Sequence, residues 1–149
     1  MDIKIEDVSI SHLNKLYEIE KQCFDQEAFT KQQLTFLLTD SDIIRSAATV
    51  NRKIAGFAMA QVDFTRNKQF GHILTVDVLP AYRRNRIAQI LLHEIETILR
   101  EKDAKECHLE VREDNAAALS LYRKLGYAKV GTLKKYYGTK HGLYLKKSL

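Results

Sequence analysis

The sequence predicts a mixed α/β fold in which a central twisted sheet of about seven strands is flanked by four helices. Runs of alternating apolar and polar residues, typical of strands, are interspersed with stretches in which apolar residues recur every three or four positions, as in amphipathic helices. Their order is β-α-α-β-β-β-α-β-α-β-β, which contains one strand–helix–strand crossover. There are no repeats, low-complexity tracts or linkers, so we expect a single domain over residues 1–149.

The N-terminal part is predicted to contain an edge strand and two short helices. Residues 2–8 alternate between apolar and polar, as in a strand with one buried face. Ser11 can cap a helix that runs to about Phe24, and Thr30 with Gln33 forms a capping-box pattern before a second helix. The segment between the two helices is polar, and we expect a loop there.

Three consecutive strands should follow these helices. The apolar and β-branched residues that define them lie in Ile43–Val50, Ile54–Phe64 and Phe70–Val78. The connecting turns, Asn51–Lys53 and Thr65–Lys68, are short, so we expect an antiparallel meander.

A crossover links the meander to the second half of the chain. The last meander strand ends near Val78, an amphipathic helix runs to about Glu101, and a further strand covers residues 106–114. A crossover of this kind requires parallel pairing, so the strands that end at Val78 and Arg112 should lie side by side. Ligand sites in open sheets lie beyond the carboxyl ends of such strands, and we expect the functional site there.

One helix and two strands are predicted at the C-terminal end. Asp114 or Asn115 can cap the helix, and Gly126 is expected to end it. Strands Tyr127–Lys134 and Gly142–Lys147 then surround a loop with the sequence KYYGTKH.

The loop before the central helix is strongly basic. Arg83, Arg84 and Arg86, together with Asn85, precede a helical turn whose first N–H groups have no partner within the helix. Such groups attract anions, and guanidinium groups bind phosphate well. The loop therefore predicts a site for a ligand that carries pyrophosphate, although neither GxxxxGK[ST] nor GxGxxG occurs in the chain. The simpler alternative is a basic, solvated helix start.

Two motifs resemble those of the GNAT N-acetyltransferases, in particular the RimI-like and Ard-type enzymes that acetylate protein N-termini. The first is VLPAYRRNRIA, from Val78 to Ala88, which is similar to the family's acetyl-coenzyme A loop with its pattern [QR]-x-x-G-x-[GA]. The family's middle glycine is Arg86 here. Since glycine normally allows positive φ or a close approach to the ligand, the geometry of the loop and its affinity for the cofactor stay open at this point.

The second motif is L-E-V-R-x-x-N-x-x-A-x-x-L-Y-x-x-L-G-[FY], which runs from Leu109 to Tyr127. The resemblance implies the GNAT fold, acetyl-coenzyme A as cofactor, Glu110 as general base, and Tyr122 as the acid that protonates the departing thiolate. It implies that the backbone before the loop holds the cofactor's pantetheine arm and that the loop holds its pyrophosphate. The cofactor-binding positions that it implies are Val76, Asp77, Val78, Arg83, Arg84, Asn85, Arg86, Ile87, Ala88, Gln89, Asn115 and Tyr122.

The resemblance also implies which residues contact the acceptor: Glu27, Phe29, Tyr136 and Tyr137. Glu27 matches a second glutamate of the Ard-type enzymes, without the proline that usually precedes it. The tyrosine pair would line the peptide N-terminus, and is otherwise the exposed tip of a hairpin. The acidic residues that follow such a pair in the Ard-type pattern are replaced here by His141 and Gly142, so the family's substrate preference is not carried over.

The implied roles suit the chemistry of amine acetylation. An α-amine with a pKa of about 8 is mostly ammonium near neutral pH and must lose a proton before it attacks a thioester. Glu110 could accept that proton directly or through one water. Two simpler readings stay open from the residues alone: Glu110 could pair with Arg112, which lies on the same side of the strand, and Tyr122 could be core packing.

Composition limits the remaining classes of protein. An apolar fraction of 45% and a charged fraction of 29% are typical of globular domains. No apolar run is long enough to span a bilayer and the N-terminus does not resemble a signal peptide, so we expect a cytoplasmic protein. Cys23 and Cys107 form neither a metal motif nor a disulfide framework, and no metal is predicted.

The sequence thus predicts direct transfer of acetyl from acetyl-coenzyme A to the α-amine of a protein or peptide N-terminus in a ternary complex. Ribosomal or nascent chains are candidate acceptors, and an auxiliary subunit is a candidate partner; no membrane or specific nucleic acid is expected. One alternative is acetylation of a lysine ε-amine or a small polyamine. Another, indicated by Arg86 in place of the loop glycine, is an inactive basic module that binds ribosomes or nucleic acid. The net charge of +5 suits these partners and coenzyme A alike.

Overall fold

The computed structural model describes residues 1–149 and contains one seven-stranded sheet with helices on both faces. The strands are β1 (Ile3–Glu6), β2 (Ile43–Val50), β3 (Lys53–Thr65), β4 (Lys68–Val78), β5 (Glu106–Arg112), β6 (Ala128–Tyr137) and β7 (Lys140–Ser148). The helices are α1 (Leu13–Cys23), α2 (Lys31–Thr39), α3 (Ile87–Glu101) and α4 (Ala116–Lys124), with 3₁₀ turns at Ile10–His12 and Pro80–Tyr82. The predicted mixed fold and its order of elements are confirmed.

The sheet has the strand order β1-β2-β3-β4-β5-β7-β6 and separates two hydrophobic cores. Along β3, Ala58 and Ala60 join the core beneath α3 and α4, whereas Phe57 and Met59 join the core beneath α1 and α2. Successive side chains of a strand point to opposite faces, so β3 must be apolar on both. None of the helices combines the length and apolarity that are needed to cross a membrane.

The meander is closed by two-residue turns. Asn51 and Arg52 have φ values of 51° and 66°, and Arg66 and Asn67 have φ values of 53° and 63°. Positive φ at both central positions is the pattern of type I′ hairpins, in which the strands can pair up to the turn. β3 and β4 are consequently a little longer than predicted.

The N-terminal elements differ from prediction at one helix start. Ser11 does not cap α1, because a 3₁₀ turn precedes the helix and the N–H of Ser9 donates to Nδ1 of His12 at 3.0 Å. The capping box of α2 is confirmed: the N–H of Gln33 donates to Oγ1 of Thr30 at 3.1 Å, and the N–H of Thr30 donates to Oε1 of Gln33 at 2.9 Å. β1 lies at the sheet edge, as expected.

Asn115 rather than Asp114 caps α4, since its side-chain oxygen accepts the N–H of Ala118 at 3.1 Å. Gly126 ends the helix with φ at 99°, and the N–H of Tyr127 reaches back to the carbonyl of Tyr122 at 2.9 Å. This is the Schellman geometry, which favours glycine at the left-handed position.

The tyrosine pair, predicted to lie in a loop, lies at the end of β6 instead. The pairing of β6 with β7 extends to Tyr137 opposite Lys140, which leaves only Gly138 and Thr139 in the turn. The prediction of a seven-residue loop was wrong because the hairpin absorbs an irregularity between Leu133 and Tyr137 within the strand.

The crossover prediction is confirmed, and its geometry produces an opening. β4 and β5 are parallel, but only three residue pairs are in register: Phe70 with Glu106, Gly71 with Cys107, and His72 with His108. Both strands continue beyond these pairs, to Val78 and Arg112, without pairing with each other. The sheet is therefore split at the carboxyl ends of its two central parallel strands.

Candidate active site

The split between β4 and β5 forms a cavity of about 450 Å³, which we call the strand cavity. Its walls come from α1 and the loop after it, β4, β5, α4 and the end of β6. A second cavity of about 520 Å³, which we call the loop groove, lies beside the basic loop. The two share Cys23, Phe24, Val76, Asn115 and Ala118, so they adjoin as one cleft.

The backbone of β4 faces this cleft. The N–H of Leu79 donates to the carbonyl of Ala55 at 2.9 Å, so Leu79 points its backbone groups towards β3. Alternation along an antiparallel strand then directs the backbone groups of Val78 and Val76 away from β3, into the split. The carbonyl of Val78 accepts Nε of Arg83 at 3.1 Å, which confirms this orientation.

Asp77 differs from its neighbours because its side chain lies on the face that carries α1. It is fully buried and lines neither cavity. Oγ1 of Thr75 is within hydrogen-bond distance of Oδ1 of Asp77 and lies 3.2 Å from Oε1 of Glu20. Burial, followed by the negative charge of Glu20, raises the pKa of Asp77 well above its usual value.

The basic loop adopts a left-handed backbone at two arginines. Arg84 has φ at 66° and Arg86 has φ at 62°, a region that non-glycine residues seldom occupy. Arg86 is the N-cap residue of α3, and its carbonyl accepts the N–H of Ile90 at 2.9 Å. The arginine thus takes a backbone conformation that glycine adopts without strain. Nδ2 of Asn85 braces the turn by donating to the carbonyls of Tyr82 and Arg83.

The loop groove carries the donors that a pyrophosphate needs. The side chains of Arg83, Arg84 and Arg86 are exposed and line it. Ile87, Ala88 and Gln89, the first residues of α3, line it as well, and N–H groups at a helix start have no partner inside the helix. All the sequence-predicted cofactor residues of the loop except Asn85 therefore line one groove, which fits an anionic ligand.

Glu110 faces the strand cavity from β5 with 15% of its side chain exposed. Its Oε1 lies 2.7 Å from Nε2 of His72 on β4, and its Oε2 lies 4.0 Å from Nδ1 of His108. The alternative in which Glu110 pairs with Arg112 is wrong. Sequence reasoning did not select His72, because the partnership depends on the register between β4 and β5.

Arg112 instead joins two other elements at the mouth of the cavity. Its Nη1 lies 2.7 Å from Oε1 of Glu27, and its Nε and Nη2 each lie 3.0 Å from an oxygen of Asp114. Hydrogen bonding to Arg112 lowers the pKa of Asp114 below its usual value. The carboxylate of Glu27 is thus held in an ion pair with Arg112, which makes it less available to bind the amine of an acceptor. Phe29 lines the cavity beside it.

Tyr122 lines the inner wall of the strand cavity and is 9% exposed. Its ring meets Tyr127 edge-on, with the ring centroids 5.7 Å apart. Burial raises the pKa of Tyr122, and the charge of Asp77 raises it further, so the hydroxyl stays protonated at neutral pH. The residue combines core packing with a proton available to the cavity.

Tyr136 and Tyr137 form a T-shaped pair with ring centroids 4.9 Å apart. Tyr137 lines the strand cavity, whereas Tyr136 is 53% exposed at its rim. A Cβ on Gly142 would lie 3.2 Å from Cβ of Tyr136 and 3.2 Å from Cε2 of Tyr137. The glycine that replaces an acidic residue of the Ard-type pattern therefore leaves the space into which the two rings pack.

Of the two cysteines, Cys23 borders the cleft: it lines both cavities, and its Sγ lies 3.4 Å from the carbonyl oxygen of Val78. Cys23 and Cys107 are both free, and Cys107 is fully buried. Burial raises the pKa of the Cys107 thiol to about 11, which keeps it protonated and unreactive, as expected for a core residue.

A mixed sheet split between its central parallel strands, with a basic loop opening the crossover helix beside the split, defines the N-acetyltransferase class of fold. The structure of Arabidopsis thaliana NAA60 in complex with acetyl-CoA superposes on it with a TM-score of 0.91, 18% identity and coverage of 99% of both chains, a likeness that shows the fold. The chain belongs to the Acetyltransferase (GNAT) family, whose profile matches residues 13–127.

Sequence relatives agree with this assignment. The chain is 36% identical over 107 residues to an N-alpha-acetyltransferase of Saccharolobus solfataricus, a match that covers 66% of this chain and 64% of the relative. It is 30% identical over 139 residues to the ribosomal protein bS18 alanine N-acetyltransferase of Escherichia coli K12, covering 93% of this chain and 89% of the relative. The chain therefore spans less than two thirds of the archaeal relative and most of the bacterial one.

Proposed function

We propose that this protein transfers an acetyl group from acetyl-coenzyme A to the α-amine of a protein or peptide N-terminus. The observation that carries the proposal is the position of Glu110, which lies at the split between β4 and β5 with a hydrogen-bonding partner, His72, in a cavity that adjoins a groove lined by arginines. The names of the archaeal and bacterial relatives support the reaction.

Acetyl-coenzyme A suits both parts of the cleft. The pyrophosphate would lie in the loop groove on the first N–H groups of α3 and the side chains of Arg83, Arg84 and Arg86. The pantetheine arm carries amide groups, which would bond to the edge of β4 that β5 leaves unpaired, at the backbone of Val76 and the N–H of Val78, and place the thioester beside the strand cavity. Asn115 and Ala118, which line both cavities, would contact the arm between them.

Glu110 would serve as the general base. The acceptor enters as an ammonium, and Glu110 takes one proton from it, either directly or through one water. Nε2 of His72 lies 2.7 Å from Oε1 of Glu110 and orients the carboxylate through this hydrogen bond. The imidazole is 24% exposed, so the proton can pass from Glu110 through His72 to solvent. Glu27 is the weaker candidate because Arg112 already holds its carboxylate.

The neutral amine nitrogen would then attack the thioester carbonyl, and a backbone N–H near Val78 would hold the oxyanion. As the intermediate collapses, the C–S bond breaks and the thiolate leaves. A phenol ordinarily has a higher pKa than a thiol, and burial raises the pKa of Tyr122 further, so complete transfer of its proton to a free thiolate is uphill. We infer that Tyr122 donates a hydrogen bond to the sulfur while the bond is breaking and that the thiolate takes its final proton as it reaches solvent.

The acceptor would enter past Tyr136 and Tyr137 on one side and the Glu27–Arg112 pair on the other. The acceptors that we propose are ribosomal and nascent chains. The reaction would take place in the cytoplasm, and residues 1–149 would form a single catalytic domain. An auxiliary subunit would act by adding specificity at this mouth.

The test is release of coenzyme A thiol with short peptides that have a free or a blocked N-terminus and that all contain one internal lysine. Turnover with free N-termini alone, slowed in Glu110→Gln and Tyr122→Phe, would support the proposal. Turnover with blocked peptides would assign the reaction to lysine, and cofactor binding without turnover on any peptide would contradict the proposed acceptor. As a control, His93→Ala changes an exposed histidine on α3 and should leave turnover unchanged.

A further inference from the structure

We propose that His72, His108 and Glu110 form a binding site for one divalent transition-metal ion, with Zn²⁺ as the best match. An ion bound there would occupy the base of the proposed reaction and inhibit it. The sequence alone predicted no metal, because the three residues come from two strands that are far apart in the chain.

The register of the split sheet brings these ligands together. His72 on β4 lies directly opposite His108 on β5, and Glu110 lies two residues further along β5 on the same face. One nitrogen of each histidine and one carboxylate oxygen all lie within 4.8 Å of one another. Two ligands at positions i and i+2 of one strand and a third across from them place three donors on one patch of a sheet.

His108 provides the observation that points to a ligand. The residue is 8% exposed, and neither Nδ1 nor Nε2 has a hydrogen-bond partner. A buried polar group without a partner is costly and uncommon. Phe70 and Tyr144 pack against the ring, with centroids 4.9 Å and 5.3 Å away, and His72 stacks on it at 4.6 Å. A metal ion would give one of these nitrogens the partner that the protein does not supply.

The donor set and its exposure select the ion. Two imidazoles and one carboxylate are ligands that Zn²⁺ accepts, at about 2.0–2.2 Å, and three protein ligands leave its fourth position to water. The side chains of His72 and Glu110 are 24% and 15% exposed, so an ion can enter from solvent.

Binding requires a local rearrangement. The rings of His72 and His108 are nearly parallel, at 19°, so their lone pairs do not converge until the rings turn. The hydrogen bond between His72 and Glu110 must also be exchanged for bonds to the ion. We therefore expect weaker affinity than that of a structural zinc site and rapid removal by chelators.

The inhibition rests on the proposed function, but binding does not. Since the ion would occupy Glu110 and not the loop groove, Zn²⁺ should compete with the acceptor peptide and leave the affinity for coenzyme A unchanged.

Direct binding is the first experiment. Tag-free protein would be titrated with ZnCl₂ against a chromophoric chelator, and with CoCl₂ to record the visible absorption of a four-coordinate ion. We expect one ion per chain in the wild type, and an affinity lower by more than about tenfold in His72→Ala, His108→Phe and Glu110→Gln. His93→Ala removes an exposed imidazole elsewhere and should bind as the wild type does.

Circular dichroism would show whether each variant is folded. If His108→Phe does not fold, the loss of binding in His72→Ala is sufficient for the test. The absence of one-to-one binding in the wild type, or binding that all three variants retain, would overturn the proposal. Binding by a protein that shows no turnover would overturn the proposed function only. Turnover that Zn²⁺ inhibits and a chelator restores, in competition with the peptide, would support both.

Discussion

Nε2 of His72 and Oε1 of Glu110 lie 2.7 Å apart and form a hydrogen-bonded pair where β4 and β5 begin to separate. If Glu110 is the base, Glu110→Gln should lower kcat by about 10²–10⁴-fold, because the amide does not accept a proton. Coenzyme A affinity should be unchanged, since the loop groove does not include this residue. Steady-state thiol release and calorimetric titration of coenzyme A would measure the two effects; an equal loss in both would contradict the assignment.

His72→Asn should lower kcat less than Glu110→Gln does, because it removes the partner of the base and keeps the base itself. In the double variant, His72→Asn should add almost nothing to Glu110→Gln, as expected for residues that act as one unit. The measurement is a double-mutant cycle on kcat. Additive losses would mean that the two side chains act independently.

The ion pair between Glu27 and Arg112 predicts a different kinetic effect. Glu27→Gln should raise the KM for the peptide by up to about fivefold and leave kcat nearly unchanged, because the pair shapes the mouth past which the acceptor enters and is not the base. Fivefold is equivalent to the roughly 1 kcal/mol that a partly exposed pair can contribute. Arg112 would stay in place through its two bonds to Asp114. A fall in kcat of about a hundredfold or more would show instead that Glu27 is the base.

Asp77→Asn should change how stability depends on pH. The unfolded aspartate has a pKa of about 3.9, and the folded pKa is well above its ordinary value because of burial and the charge of Glu20. Between these two values the folded state binds more protons, so the free energy of unfolding falls as the pH rises through this window and stays reduced above it. Urea denaturation from acid to neutral pH should show this decline in the wild type and a smaller one in Asp77→Asn, which should be the more stable protein at neutral pH. Asp63→Asn, at a half-buried position on β3, is the control.

The left-handed backbone of Arg86 can be tested with a pair of variants. Arg86→Gly and Arg86→Ala both remove the charge, but only glycine occupies φ near 62° without strain. The glycine variant should exceed the alanine variant in free energy of unfolding by about 1 kcal/mol, measured by chemical denaturation. Both should lose coenzyme A affinity to a similar extent if the guanidinium contributes by its charge. Equal stability of the two variants would argue against strain at this position.

The framework of the fold could be predicted from local signals. The capping box at Thr30, the stop at Gly126 and the apolar period of α3 depend on residues near one another in the chain, and the crossover imposed the parallel pair. The general location of the cleft followed from the same argument, because it lies where those two strands end.

The partners within the site could not be predicted in this way. His72 meets Glu110 across 38 positions of sequence, and Arg112 meets Glu27 across 85. The first contact depends on the register of β4 against β5, and the second on the path of the loop after α1. One alternative from the sequence paired Glu110 with Arg112 because those residues share a face of one strand, whereas Glu110 contacts His72 and Arg112 contacts Glu27.

The three residue pairs between β4 and β5 leave an unpaired strand edge inside the molecule rather than at its outer surface. An exposed strand edge can pair with a strand of another chain, but this edge is enclosed by α1 and α4. Only a narrow molecule with amide groups spaced along its length can lie against it as a substitute strand. Ligand binding would then complete the sheet, and the amide of Val76 should exchange its hydrogen with solvent far more slowly once the ligand is bound.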